Sequence, residues 1–149
     1  MVFTRGQAED YDHWAQLGNK GWSFQDVLPY FKKMENCLAG GDAYRGDHGP
    51  LELERGPGVN PLFGAFLKSV QDAGYELTDD VNGEKQEGFA LFDRNVRKGK
   101  RLSAARAYYH PVKKRPNLEL LCQVHTTKIL FLLMNQKTIQ MINLTNTKQ

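Results

Sequence analysis

Residues 49–74 read Gly-Pro-Leu-Glu-Leu-Glu-Arg-Gly-Pro-Gly-Val-Asn-Pro-Leu-Phe-Gly-Ala-Phe-Leu-Lys-Ser-Val-Gln-Asp-Ala-Gly, and two periodicities meet in them. Leu51-Glu52-Leu53-Glu54 alternates with period two, the signature of a short strand with one buried face. Asn60-Pro61 then opens a helix, with Asn at the N-cap and Pro at the first helical position, where its missing N–H costs nothing. Leu62, Phe63, Phe66, Leu67 and Val70 form its apolar stripe, and Gly74 stops it. A strand and a helix within 25 residues predict a mixed α+β chain. The glycines and prolines at 40–41, 46, 49–50 and 56–58 predict turns, so residues 38–60 read as a surface loop carrying one ribbon.

Towards the N-terminus, Glu9, Asp10 and Asp12 load the start of a helix, where negative charge suits the macrodipole. Tyr11, Trp14 and Ala15 follow at helical spacing, and Gly18 ends it. Ser23 caps a second helix with Phe24, Val27, Leu28, Phe31 and Met34 on one side; Pro29 predicts a kink or a restart. Towards the C-terminus, Asp79, Asp80, Asn82 and Gly83 predict a turn, 89–96 a strand, and Lys98-Gly99-Lys100 a hairpin. Ser103 caps a short helix over 104–109 that Pro111 ends. Strands are expected at 118–123, 126–133 and 138–143, the last two joined at Asn135-Gln136. There are no internal repeats.

The chain has 149 residues, 40% hydrophobic and 25% charged, the composition of a soluble globular protein. Its net charge of +3 is locally concentrated: nine Lys or Arg and no Asp or Glu fall within 94–115. That run reads as a solvated strand and helix edge or, more sharply, as a phosphate-binding patch. No aromatic ladder interleaves it, so nucleic acid is not an expected partner. Cys37 and Cys122 have no CxxC spacing and no His at zinc-ligand spacing, which predicts core thiols in a reducing compartment and no metal site. The longest uninterrupted apolar run, 129–134, is far short of a membrane span, and a cytoplasmic location is expected.

No GxSxG, GxGxxG, P-loop or HExxH occurs. His13, His48, His110 and His125 are scattered, none with a carboxylate or second His at matching spacing, so no catalytic residue is assigned.

A series of short pieces goes further. Met1-Val2-Phe3-Thr4-Arg5-Gly6, Ala8-Glu9-Asp10-Tyr11-Asp12 and Trp14 open it. Gly21-Trp22, Leu28-Pro29-Tyr30-Phe31-Lys32-Lys33, Glu35, Tyr44-Arg45-Gly46, Gly49-Pro50-Leu51, Asn60-Pro61-Leu62 and Ala65-Phe66 continue it. Asp80-Val81-Asn82-Gly83, Gln86-Glu87-Gly88-Phe89, Gly99-Lys100-Arg101, Ser103-Ala104-Ala105, Ala107-Tyr108 and Arg115-Pro116-Asn117-Leu118 complete it. In this order and spacing the chain resembles an internal segment of the glucose-methanol-choline (GMC) family of flavin-dependent alcohol oxidoreductases, in its choline dehydrogenase-like branch.

The resemblance implies an FAD enzyme that oxidises the CH–OH group of a small primary alcohol, choline-like, to an aldehyde by hydride transfer to the flavin. Met1 and Val2 match positions lying against the flavin, and Thr126 matches a position, usually Val, whose main-chain groups meet the adenine. Residues 1–37 resemble the flavin-shielding, lid-like helical segment. Residues 38–131 resemble part of the substrate-binding domain, an antiparallel sheet, with an edge of the FAD-binding domain. Residues 132–149 read as a divergent tail, either a divergent strand pair or sequence translated in a shifted frame. Tyr44, Phe89, Phe92 and Tyr108 could line a pocket but read as plain core. The family's glycine-rich fingerprint and its C-terminal catalytic His have no counterpart here, so the segment is expected to be inactive alone and only marginally folded. The alternative is a free-standing, non-catalytic binding module that keeps the substrate-domain framework.

Deleting residues 132–149 is expected to leave solubility and melting unchanged or improved. Loss of soluble protein when the chain ends at Phe131 would show instead that 138–143 is a pairing strand.

Overall fold

In the computed structural model the backbone is described at residues 1–134 and 137–146, and side chains are described at residues 1–125. Two units form, Met1–Pro111 and Val112–Gln149.

The first unit begins with β1 (Val2–Phe3), followed by α1 (Ala8–Gln16) and α2 (Phe24–Met34). A reciprocal capping box starts α2: the Ser23 hydroxyl accepts from Asp26 N–H, and the Asp26 carboxylate accepts from Ser23 N–H at 3.1 Å. Pro29 lies inside α2, which continues unbroken to Met34 instead of restarting. One i→i−4 bond is lost there, and the capped first turn and the apolar face around Phe24, Val27 and Phe31 hold the helix through it.

Strands β2 (Glu35–Cys37) and β3 (Leu51–Arg55) come next, then α3 (Pro61–Asp72) with Asn60 Oδ1 accepting from Leu62 N–H at 3.0 Å. The strand expected over 89–96 is divided into a single bridge at Phe89, β4 (Asp93–Arg94) and β5 (Val96–Arg97). β6 (Lys100–Arg101) closes a two-residue hairpin on β5, with Lys98 and Gly99 both at positive φ, 50° and 72°. A single π-helical turn, Ala105–Tyr109, stands where the short helix was expected.

The sheet order is β1-β4-β3-β2, with β1/β4 and β4/β3 antiparallel and β3/β2 parallel. Residues 38–60 are therefore more than a surface loop: β3 is an interior strand. Its alternation sends Leu51 and Leu53 into the core with Leu102 and Ala107, against which Phe3 and Met34 pack. Glu52 and Glu54 face the other way, 3.5 Å from Arg97 and Arg94 respectively. The preceding loop needs glycine where it crosses the end of α2 and the start of β2: a Cβ on Gly46 would lie 1.8 Å from Lys32 O, and one on Gly49 2.4 Å from Met34 C.

Beneath the sheet, three cations and three anions form one network. Glu35 Oε1 accepts from Arg5, from Arg45 Nε at 3.0 Å and from Gly46 N–H at 2.8 Å. Arg45 Nη1 donates to Asp80 at 2.5 Å, and its Nη2 lies 2.8 Å from Asp93. Arg55 lies 3.2 Å from both Asp80 and Asp93. Glu35 and Asp93 are essentially buried, and so is Arg45. Burial opposes the charge on Arg45, but the bonds from Glu35 and Asp93 outweigh it and hold the guanidinium above its ordinary value. Burial prevails at Arg5, whose value is lowered despite Glu35.

In the second unit, residues 118–123 form no strand; β7 (Val124–Met134) and β8 (Lys137–Asn146) make one antiparallel hairpin. The expectation of a divergent tail over 132–149 falls in part on 135–136 and 147–149, outside the described residues. Among the described residues no helix is long and apolar enough to cross a membrane.

Measured in a longer protein that carries this segment and covers its open apolar faces, Arg45→Met should lower stability by about 3–5 kcal/mol, because it leaves Glu35 and Asp93 buried without their shared cation. Lys68→Ala, which breaks an exposed i,i+4 pair in α3, should leave denaturant unfolding unchanged. A second expectation concerns Cys37, which is buried and free, its thiol pushed up by burial. The folded state thus favours the protonated thiol, a contribution present below the unfolded thiol's value and lost as pH rises through the folded one. The unfolding midpoint should fall on alkaline titration less steeply in Cys37→Ala than in the wild type; identical slopes would refute this.

Candidate functional site

β1 is an edge strand; its Val2 is 60% exposed, and Met1, just before it, is 61% exposed. An apolar strand with one free backbone edge is normally covered or blunted. Here its placement is fixed from behind. Arg5 N–H donates to Asn82 Oδ1 at 2.7 Å, Arg5 Nη1 donates to Tyr44 O at 2.7 Å, and Asn82 Nδ2 donates to Phe3 O at 3.3 Å. Met1 and Val2 are thus exposed at the unpaired edge of the sheet, while the chain just after β1 is tied down by Asn82 and Tyr44. The sequence has no GxGxxG to cradle a diphosphate.

A second feature lies between α1 and α2. Tyr11, Trp14, Trp22, Val27, Tyr30, Phe31 and Met34 line a largely apolar cleft of about 560 Å³. Tyr11 sits edge-on to Trp14 at 5.4 Å and to Phe31 at 5.7 Å, and Trp14 stands 5.9 Å from Trp22. Asp12 Oδ1 joins the two helices by accepting from Phe24 N–H at 2.9 Å. The Arg5 guanidinium lies 5.1 Å over the Phe31 ring, which links the cleft to the buried network. The cleft can exclude water from whatever apolar surface covers it.

The four candidate pocket residues serve separate neighbourhoods. Phe89 packs edge-on against Phe66 and Tyr75, each at 5.9 Å. Tyr108 donates to Met34 O at 3.3 Å, and burial pushes its hydroxyl up. Tyr44 contributes its main chain, and Phe92 is about half exposed. The basic run is partly tied down at Arg94 and Arg97; Arg97, Lys98, Lys100, Arg101 and Arg106 line a cationic cleft of about 410 Å³.

Thr126 belongs to the second unit, on β7 opposite Leu144. Pairing resumes at Lys128 opposite Asn143, so residue 127 is extra and the ladder is interrupted beside Thr126. The side chain of Thr126 lies outside the described residues. His48 is exposed beside Asp47 at 3.3 Å. Among the described residues no cluster of His, Cys, Asp or Glu could hold a metal ion.

The buried charge network and the Asn82 contacts escaped the sequence reading. Arg5, Glu35, Arg45, Asp80 and Asn82 all fall in the quoted pieces, but polar residues 10 to 77 positions apart carry no sign that they meet.

Comparison with known proteins agrees with this layout. The profile describing GMC oxidoreductases matches residues 1–149. The chain is 55% identical over 121 residues to the oxygen-dependent choline dehydrogenase of Sinorhizobium fredii and 52% identical over 120 residues to that of Brucella anthropi. These alignments cover 81% and 80% of this chain, which spans about a fifth of each relative, 22%. The crystal structure of pyridoxine 4-oxidase from Mesorbium loti superposes with a TM-score of 0.76 at 26% identity, over 95% of this chain and 30% of that one. An FAD-dependent oxidoreductase from Chaetomium thermophilum gives 0.76 and 26% over 95% and 29%. With the family's profile matched from end to end and its fold shared by both structures, the chain belongs to the GMC oxidoreductase family.

Proposed function

We propose that this chain is a segment of an FAD-dependent alcohol dehydrogenase or oxidase that oxidises the CH–OH group of a choline-like primary alcohol to an aldehyde. The observation that carries the reading is the identity of 52–55% to oxygen-dependent choline dehydrogenases over four-fifths of the chain. When bound, the flavin supplies a two-electron acceptor for hydride from the alcohol carbon. Met1 and Val2 would lie against it, presented on β1 by the buried base of Arg5 and Asn82. Thr126 would meet the adenine through its main chain beside the interrupted ladder. Tyr11, Trp14, Trp22 and Phe31 would shield the redox centre from water as part of the lid-like segment 1–37, and residues 38–131 would supply part of the substrate-binding domain with an edge of the FAD-binding domain. No residue of this chain is assigned as acid or base. The buried free thiol of Cys37 supports a reducing compartment, the cytoplasm, whereas Cys122 is exposed and is not the core thiol expected of it.

Part of the apolar surface of this chain is open: Tyr30, Leu62, Phe66, Tyr75, Leu120 and Leu121 are all exposed. Several large apolar side chains left exposed within one unit mark surface that a partner element would cover, which supports a segment rather than an independent module. The purified chain should therefore carry no yellow chromophore and show no choline-dependent dye reduction. It should also bind hydrophobic dye and melt without a sharp transition. Stoichiometric flavin absorbance would overturn the first expectation, and a monomer with one cooperative transition would favour the non-catalytic module.

A further inference from the structure

The turn around Asp80 and Asn82 grips the N-terminal strand from a direction the sheet does not supply. β1 has two residue pairs with β4, Val2 with Arg94 and Phe3 with Asp93. Asn82 adds two bonds of its own, one to Arg5 N–H and one to Phe3 O, and Gln86 Nε2 reaches Gly6 O at 3.4 Å. Residues 3, 5 and 6 are thus each tied to 82–86 through main-chain atoms. The grip is itself held in place. Asn82 is 2% exposed, its N–H donates to Asp80 Oδ1 at 2.8 Å, and Asp80 is pinned by Arg45 and Arg55.

The side chain at position 82 must accept from one peptide and donate to another two residues away. A primary amide does both; a carboxylate loses the donor, and a methyl group loses both. Removing the amide leaves Arg5 N–H and Phe3 O without these partners, in a place where water enters poorly. The strand would keep its two residue pairs with β4 but lose the restraint that sets the direction of Met1 and Val2.

We propose that Asn82 is a positioning residue for the flavin: by clamping the backbone at Phe3 and Arg5 it holds the Met1-Val2 end of the chain in place beforehand, so that the cofactor binds without having to order the strand. This rests on the reading of Met1 and Val2 as flavin contacts.

The test uses the full-length flavoprotein that carries this segment, with Asn82→Ala, Asn82→Asp and, as a control destabilised elsewhere, Val70→Ala in α3. Amide hydrogen exchange at residues 2–6, FAD release and the visible flavin band are measured well below each melting temperature. Asn82→Ala should speed exchange at 2–6 and weaken FAD retention, each roughly tenfold, and shift the visible band. Asn82→Asp, which keeps the acceptor for Arg5, should fall between it and the wild type. Val70→Ala should lower the melting temperature and move neither exchange at 2–6 nor the band. Unchanged exchange in Asn82→Ala, faster exchange with an unaltered flavin, or equal flavin effects in the control would each overturn the proposal. A wild-type protein without flavin would remove the functional reading, and this one with it, before any variant is compared.

Discussion

Arg45 is a guanidinium with almost no access to water, and a buried charge persists only where partners surround it. Its three partners come from distant parts of the sequence: Glu35 at the start of β2, Asp80 in the turn after α3, and Asp93 at the start of β4. Satisfying that one cation brings the three segments to a common point. Arg5 and Arg55 then balance the remaining negative charge and draw in the chain after β1 and the end of β3. The sheet order β1-β4-β3-β2 is the arrangement in which these side chains can meet.

The charge network works beside a small apolar core. Leu51, Leu53, Leu102 and Ala107 form its buried centre, with Phe3 and Met34 packed against it. Close backbone packing at Gly46 and Gly49 lets the loop bring its N–H groups to Glu35: Gly46 N–H to the carboxylate and Gly49 N–H to the main-chain carbonyl, both at 2.8 Å. Specific polar contacts therefore fix the geometry, while apolar faces on α1, α2 and α3 stay open. A segment spanning about a fifth of its relatives' length suits that division. Its internal shape is set by charge, and its outer surfaces are free to pack against other elements.

The surface presented by β1 depends on the same network. Two residue pairs are a slender attachment for a strand, and the contacts that strengthen it run through Asn82, Arg5 and Glu35. The aromatic cleft is coupled to it where Arg5 lies over Phe31. One arginine thus touches the base of the strand, the wall of the cleft and the buried carboxylate, so these features are expected to respond together to any change at that point.

The amino-acid sequence by itself determined the local pieces. The caps at Ser23 and Asn60, the Leu51/Leu53 alternation, the turn at Asp80 and Asn82 and the Lys98-Gly99 hairpin were legible because short-range sterics and hydrogen bonding decide them. The ordered motif series pointed to the family for a different reason, since spacing along a chain survives without knowledge of contacts. Tertiary structure decided the rest. Residues 38–60 looked like a loop because Gly and Pro dominate them, yet β3 is interior because its neighbours β2 and β4 arrive from positions 35–37 and 93–94. Pro29 predicted a kink or a restart, and the helix runs through it to Met34 without restarting. The run at 118–123 has strand-like residues but no partner strand among the described residues, and a strand without a ladder does not form. The network around Arg45 was invisible for the deepest reason: a charged residue reads as solvent-facing until its counter-charges, tens of positions away, are brought beside it.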